Sequence, residues 1–279
     1  MAIFNIYRYQ LLPTERQHQG MLFDYKTVED VIKNKNKIFR NEISKKRFLQ
    51  TRRLKTIIAS IFEKDDIFVF RVGVNRDLRR ETMDFKQETL DTWPHVLVAI
   101  WNHPDKQLIA VQKNSAAFSD TQTLINILSR NLNRHFNAYK LGIFINPIFE
   151  TRHFWDIVER NEGKIQAINF KFITPNMSNI SGAIADALKE VSRNTNSVEN
   201  ELGLKAAPKS SLTLSQEDPH VSSLLDYSSK GGGSASIKLK NIRQKIKTGE
   251  NIKEIEIDEI DITSDDPKGI VRLIEQLFK

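Results

Sequence analysis

Residues 96–112 read VLVAIWNHPDKQLIAVQ, two apolar runs around a turn. Val96 to Trp101 and Leu108 to Gln112 are each one strand long, and Asn102-His103-Pro104-Asp105 between them has turn chemistry. A hairpin of this kind makes the two strands antiparallel neighbours. Working outward, Thr56 to Phe62 and Ile67 to Val74 form a second β-rich pair around Lys64-Asp65-Asp66, again a hairpin. Ile3 to Leu12 alternates and ends at Pro13, and Leu141 to Ile145 is a short strand stopped by Asn146-Pro147. Lys164 to Thr174 is a further strand, and Leu212 and Leu214 mark a short one.

Helices fall between these strands without regular alternation. Thr27 to Lys35 places Val28, Val31 and Ile32 on one face. Asp120 is placed to cap a helix through Phe136, with Leu124, Ile127, Leu128 and Leu132 apolar. Shorter helices are expected over Phe154 to Glu159 and Val221 to Tyr227, one from Ser178 or Asn179 toward Asn194, and a last one after Asp265-Asp266-Pro267. Asn75 to Thr92 is polar, reads as a helix with a long loop, and closes at Trp93-Pro94. Ser228 to Ser234, with three consecutive glycines, reads as flexible. The expected class is α+β, with mixed, mainly antiparallel sheets and peripheral helices, in two parts joined by long strands. At 279 residues the chain suits one large domain or two ordinary ones, and Asn146-Pro147 divides it into 1–146 and 147–279.

Charge is concentrated. The net charge is +7, from 42 Lys+Arg and 35 Asp+Glu. Ten of the cations lie in one stretch: Lys33, Lys35, Lys37, Arg40, Lys45, Lys46, Arg47, Arg52, Arg53 and Lys55, opposed there by Glu42 alone. That stretch carries +9, so the rest of the chain is slightly acidic. Dense Lys and Arg suit phosphate neutralisation and counterion release, while a solvated basic face is the plain alternative. A second basic run, Lys238, Lys240, Arg243, Lys245 and Lys247, precedes an acidic run from Glu250 to Asp266. With Thr248-Gly249-Glu250-Asn251 as the turn, the expectation is a basic strand paired with an acidic one, each satisfying the other. The apolar phase slips between Ile257 and Ile260, as at a bulge.

Several chemistries lack their residues. With no cysteine there is no disulfide, thiolate nucleophile or Cys-containing zinc site. His18, His95, His103, His135, His153 and His220 include no i, i+4 pair. No Gly-x-Ser-x-Gly elbow, Walker loop or Gly-x-Gly-x-x-Gly occurs. Asp65-Asp66 and Asp265-Asp266 are the best local carboxylate pairs, and each has a structural role available, in a turn and at a helix start. No cofactor is expected. The N-terminus is too polar for a signal peptide, and the longest apolar stretches are far below the roughly 20 residues of a membrane span. The expectation is a cytoplasmic protein without membrane insertion.

The order of segments carries a resemblance. The hairpin Val96 to Gln112, the leucine- and asparagine-rich helix after Asp120, and the strand Lys164 to Thr174 ending at Pro175-Asn176 come in that order. The strand–helix–Gly-rich stretch and the strand Ile237 to Lys245 follow. This layout resembles bacterial antiphage proteins and, more distantly, the RexA phage-exclusion family, over about two-thirds of the chain and without a short diagnostic motif. The resemblance implies a cytoplasmic homodimer that binds DNA with little sequence preference and senses for a separate effector protein. It transfers no site residues.

Three readings stand. One is non-enzymatic nucleic-acid binding, to duplex DNA, through the ten cations above. A second is a metal-dependent nuclease or other nucleic-acid-modifying effector whose acids converge only in the fold. The third is an interaction module that uses the acidic strand 254–262 as a docking edge.

Overall fold

The computed structural model describes residues 1–15, 25–46, 49, 54–173, 183–248, 251–258 and 267–278. The chain forms two compact units, and neither is a half of the sequence. The first comprises Met1–Asn5, Asn34–His135 and Glu254–Lys279, the second Ile6–Lys33 and Phe136–Lys253. The expected division at 146/147 is thus replaced by two discontinuous units, because strand β1 (Ala2–Pro13) contributes its first residues to one and the rest to the other. The α+β class holds, with antiparallel pairing in the strand registers described.

In the first unit the strands β2 (Thr56–Lys64), β3 (Ile67–Val74), β6 (His95–His103), β7 (Lys106–Gln112) and β13 (Glu254–Ile257) join the start of β1 in the order β13-β1-β7-β6-β3-β2. Val96 to Ile100 are all buried, so this sheet is covered on both faces. That is why the run is apolar throughout and does not alternate. Both hairpins stand where the sequence placed them. Asp65 and Asp66 take φ of +51° and +63°, as the two central residues of a type I′ turn do. Helices α2 (Lys35–Ser44), α3 (Thr121–Phe136) and α7 (Pro267–Phe278) add Phe39, Leu128 and Leu273 to the buried set. Asp120 does cap α3, accepting from the Thr123 amide at 2.6 Å.

Asn75 to Thr92 is not helical. It forms a two-stranded ribbon of β4 (Arg76–Glu81) and β5 (Gln87–Thr92). Nearly every residue of it is exposed, so no buried face imprinted a period of two on the sequence.

In the second unit the later part of β1 pairs with β8 (Leu141–Pro147), and a four-stranded sheet runs β10-β9-β11-β12. Its strands are β9 (Ile165–Ile173), β10 (Glu199–Lys205), β11 (Gly233–Leu239) and β12 (Lys245–Lys247). One face buries Ile168, Phe170 and Phe172 of β9 with Ala235 and Ile237 of β11. Helices α4 (Thr151–Arg160) and α6 (Pro219–Tyr227) cover it with Phe154, Trp155, Val158, Leu224 and Leu225. Helices α1 (Val28–Lys33) and α5 (Ala183–Thr195) complete the unit. Leu212 and Leu214 lie against this core in an irregular segment and not in a strand. The caps at Ser178 or Asn179 and the bulge toward Ile260 fall outside the described residues.

Two expectations for the C-terminal region are corrected. Ser228–Gly232 is one wide turn continuing α6, with Ser228, Ser229, Gly231 and Gly232 buried. Its glycines permit close approach: a Cβ on Gly231, at φ +79°, would lie 2.4 Å from Arg8 Cβ, and one on Gly233 would lie 1.8 Å from the Lys171 carbonyl oxygen. The basic strand also does not pair with the acidic one. β12 pairs with β11, setting Lys238 opposite Lys245, whereas β13 pairs with β1. The apolar residues decide this register. Ile246 sits opposite Ile237 over the second unit's core, and Ile257 is buried opposite Ala2 in the first. Thr248, expected in the turn, is buried, and its hydroxyl bonds both backbone groups of Ala235 at 3.0 Å.

Candidate nucleic-acid interface

Within the first unit, the predicted segment is mainly α2 and its flanks. Ile38, Phe39, Glu42 and Ile43 are buried, so Lys37 and Arg40 face solvent. Arg40 donates to Asp66 at 2.6 Å and lies 6.0 Å from the Phe68 ring centre. Lys45 reaches the buried Glu42 at 2.6 Å, and Ser44 donates to Glu63 at 2.7 Å. The sequence showed no acid near this stretch except Glu42; folding brings the β2–β3 turn to it. The Arg40–Asp66 pair is exposed on both sides and worth about 0.2–1 kcal/mol, so a phosphate can displace it at little cost.

Lys35 is a correction. It is buried, and burial lowers its pKa to about 8. A cation held inside the helix–sheet packing cannot meet a phosphate on the surface. Lys37, Lys46 and Lys55 are exposed and make no ion pair among the described residues. Lys33 is exposed at the end of α1, in the other unit. Arg47, Arg52 and Arg53 lie outside the described residues.

The second unit holds a denser arrangement. On the face of its four-stranded sheet opposite the core, three rows of residues can be read from the register. One is Glu201, Lys171 and Ser234; the next is Gly203, Asn169, Ser236 and Lys247; the third is Lys205, Ala167, Lys238 and Lys245. The middle of the face is therefore small and polar, and one end is cationic. Lys240 and Arg243 follow on the β11–β12 connection. Lys205, Arg243, Lys245 and Lys247 are exposed.

The charge is graded across this face. At the far end Lys171 bonds Glu199 at 2.8 Å, and that hydrogen bond with the carboxylate's charge raises its pKa. Asn169 donates to Glu201. No acid occupies the third row. Lys238 donates to the carbonyl oxygens of Ile242 and Arg243, the latter at 2.8 Å, and Lys240 to that of Gly163 at 3.3 Å. These two lysines hold the turn in place, while Lys205, Arg243, Lys245 and Lys247 point charge into solvent.

One sign of this face was legible beforehand. Lys245 and Lys247 flank Ile246, as Lys238 and Lys240 flank Leu239, so each run puts its lysines on the side away from an apolar residue packed on the core. The mistaken strand partner hid the consequence. Lys205 carried no signal, because β10 is an edge strand with Leu202 exposed and Leu204 half-buried.

Of the carboxylate pairs, Asp65-Asp66 forms a hairpin turn with Asp66 on Arg40, and Asp265-Asp266 lies outside the described residues. Among the described residues no three His, Asp or Glu side chains gather as a metal site would require, and no helix is long and apolar enough to cross a membrane. No family model, curated protein or solved structure matches the chain.

Proposed function

We propose that this chain is a non-enzymatic nucleic-acid-binding protein that grips duplex DNA through its phosphates with little sequence preference. The observation that carries the reading is the cationic end of the second unit's sheet, where Lys205, Lys238 and Lys245 share one row and Lys247 stands in the next. Backbone phosphates are met by such a field without base contacts, which gives affinity and salt dependence but no sequence readout. The rows contain no aromatic ring on which an unpaired base would stack, so a duplex is the better fit than a single strand. The exposed Lys37, Lys46 and Lys55 form a second, weaker basic set in the other unit.

The order of elements resembling phage-exclusion proteins supports a sensor role in antiphage defence, in the cytoplasm, as a homodimer acting through a separate effector. A protein-docking role has one observation of its own: β13, with Glu254 and Glu256 exposed, ends the strand order of its sheet.

The test is fluorescence anisotropy with a labelled duplex. Replacing Lys205, Arg243, Lys245 and Lys247 with glutamine is expected to abolish most binding, and replacing Lys37, Lys46 and Lys55 to weaken it modestly. Unchanged duplex affinity in the first variant overturns the assignment of the interface.

A further inference from the structure

Strand β1 carries an arginine that its unit leaves unmatched. Ile6, Arg8 and Gln10 alternate onto one side of β1, and β8 sets Asn146 directly opposite Arg8. All four belong to the second unit. The same side meets the turn at 228–232. Gln10 Nε2 donates to the Gly231 carbonyl oxygen at 3.3 Å, and the stem of Arg8 lies along Gly231, where a Cβ would come within 2.4 Å of Arg8 Cβ and 3.4 Å of its Cδ. Arg8 makes no hydrogen bond or ion pair among the described residues, and its Nε is shut off from solvent. Gln10 is fully buried, and its Oε1 also has no partner there. The half-buried Asn146 side chain is spent on no other described residue.

A guanidinium keeps its charge at any ordinary pH, so burial cannot neutralise it and an anion must meet it. Holding it without one is costly. Burial pushes the Arg8 pKa down, and the group that counters this is the Tyr227 phenol, which burial keeps protonated and whose hydroxyl is given to the Ile173 carbonyl. Duplex DNA is a poor candidate for the missing charge. Tyr227 packs on Phe172, ring centres 5.8 Å apart, on the core side of the four-stranded sheet and away from the cationic rows. A backbone phosphodiester also has no O–H, and Gln10 Oε1 needs a donor. An ionised carboxylate lacks one as well. A phosphate with one protonated oxygen answers all three side chains: its charged oxygens accept from Arg8 and the Asn146 amide, and its hydroxyl donates to Gln10.

We propose that Arg8, Gln10 and Asn146 form a binding site for a small phosphate, free or as a monoester, separate from the duplex face. Arg8 supplies the charge, Asn146 a second donor and Gln10 the acceptor that selects a protonated oxygen. Gly231 has no side chain because the Arg8 stem occupies that space.

The test is thermal unfolding of the full chain, titrated with inorganic phosphate, methyl phosphate or sulfate at constant ionic strength. Phosphate or its methyl ester is expected to raise the unfolding midpoint saturably, by about 3–6 °C at about tenfold over half-saturation. A response to phosphate alone assigns the free ion, and a response to the ester assigns a monoester. Sulfate has the same shape but no hydroxyl for Gln10, so it is expected to need at least about tenfold more. Arg8→Met is expected to lose the response while being no less stable than the wild type without phosphate, because the unmatched charge is gone. Should that variant fail to fold, Arg8→Lys keeps the charge without the planar fork and is expected to weaken half-saturation by about tenfold. The glutamine variant at Lys205, Arg243, Lys245 and Lys247 is expected to respond as the wild type does. No saturable response in the wild type, sulfate acting as well as phosphate, a response undiminished in the Arg8 variants, or one lost in the glutamine variant overturns the proposal. None of these readouts involves duplex DNA, so their failure leaves the DNA reading standing, and the reverse.

Discussion

Gly233 offers the sharpest test of the second unit. It opens β11 opposite Phe172, beside the chain turn at 228–232. A Cβ there would lie 1.8 Å from the Lys171 carbonyl oxygen, 2.9 Å from its carbon and 3.1 Å from Phe172 Cα. All three are backbone atoms, so no side chain can turn away. Ordinary contact begins near 3.4 Å, and relief requires β11 to move from β9 by about 1.5 Å, which breaks ladder hydrogen bonds. Overpacking alone costs about 1–3 kcal/mol, and each lost buried hydrogen bond about 1 more. Gly233→Ala is therefore expected to destabilise by about 3–5 kcal/mol.

Two other glycines calibrate that figure. Gly203 would place its Cβ 3.5 Å from Asn169 Oδ1, an ordinary distance, so Gly203→Ala is expected to be neutral or slightly stabilising. Gly163 has open space but φ +70°, so Gly163→Ala should cost about 1 kcal/mol from backbone strain alone. Urea melts of the three variants, followed by tyrosine and tryptophan fluorescence, would rank them 203, 163, 233. A Gly233→Ala protein as stable as Gly203→Ala would refute the close β9–β11 approach, and with it the register that assembles the cationic rows.

Other perturbations test separate parts of the chain. Lys35 has its pKa lowered to about 8 by burial, so the unfolded chain keeps that proton to higher pH and stability should climb between about pH 8 and 10.5. Lys35→Met removes the charged burial and is expected to flatten the climb and add roughly 2–4 kcal/mol near pH 7, read from denaturant melts at a series of pH values. Asp120→Ala unties the Thr123 amide and should cost about 1 kcal/mol, measured as a lower midpoint of thermal unfolding. Tyr227 donates its hydroxyl to the Ile173 carbonyl, and Tyr227→Phe leaves that buried acceptor unsatisfied, for a loss of about 1–3 kcal/mol in the same melts. Burial also raises the pKa of the Tyr227 phenol, so its wild-type contribution should fade once the pH passes about 10, where the unfolded phenol begins to ionise.

What could be read from sequence followed from burial. The β2–β3 and β6–β7 hairpins, helix α3 with its Asp120 cap and strand β9 each bury residues, and burial writes a pattern into the chain. The ribbon 76–92 buries little on either side, so no strand period marked it and the stretch read as a helix with a long loop. The glycine run looked flexible because glycine serves mobile linkers and close contacts equally, and only the neighbours at Arg8 and Lys171 separate the two.

The basic residues show the same limit. A count along the chain found the stretch 33–55 but could not see that Lys35 turns inward or that Asp66 arrives beside Arg40. The second basic run was visible, but its cancellation by the acidic run depended on pairing neighbours in sequence. Ile246 and Ile257 belong to different units, so the two runs do not share a hairpin. Charge close in sequence is compensated only if the hydrophobic register also brings it close in space.

The most direct measurement of the central claim is the salt dependence of duplex binding by the unmodified protein. If Lys205, Arg243, Lys245 and Lys247 each neutralise one phosphate, log affinity should fall against log salt with a slope of about −4, a loss of about two decades between roughly 50 and 200 mM. The slope should be the same for duplexes of unrelated sequence. A slope near zero, or no binding at the lowest salt, would contradict the account.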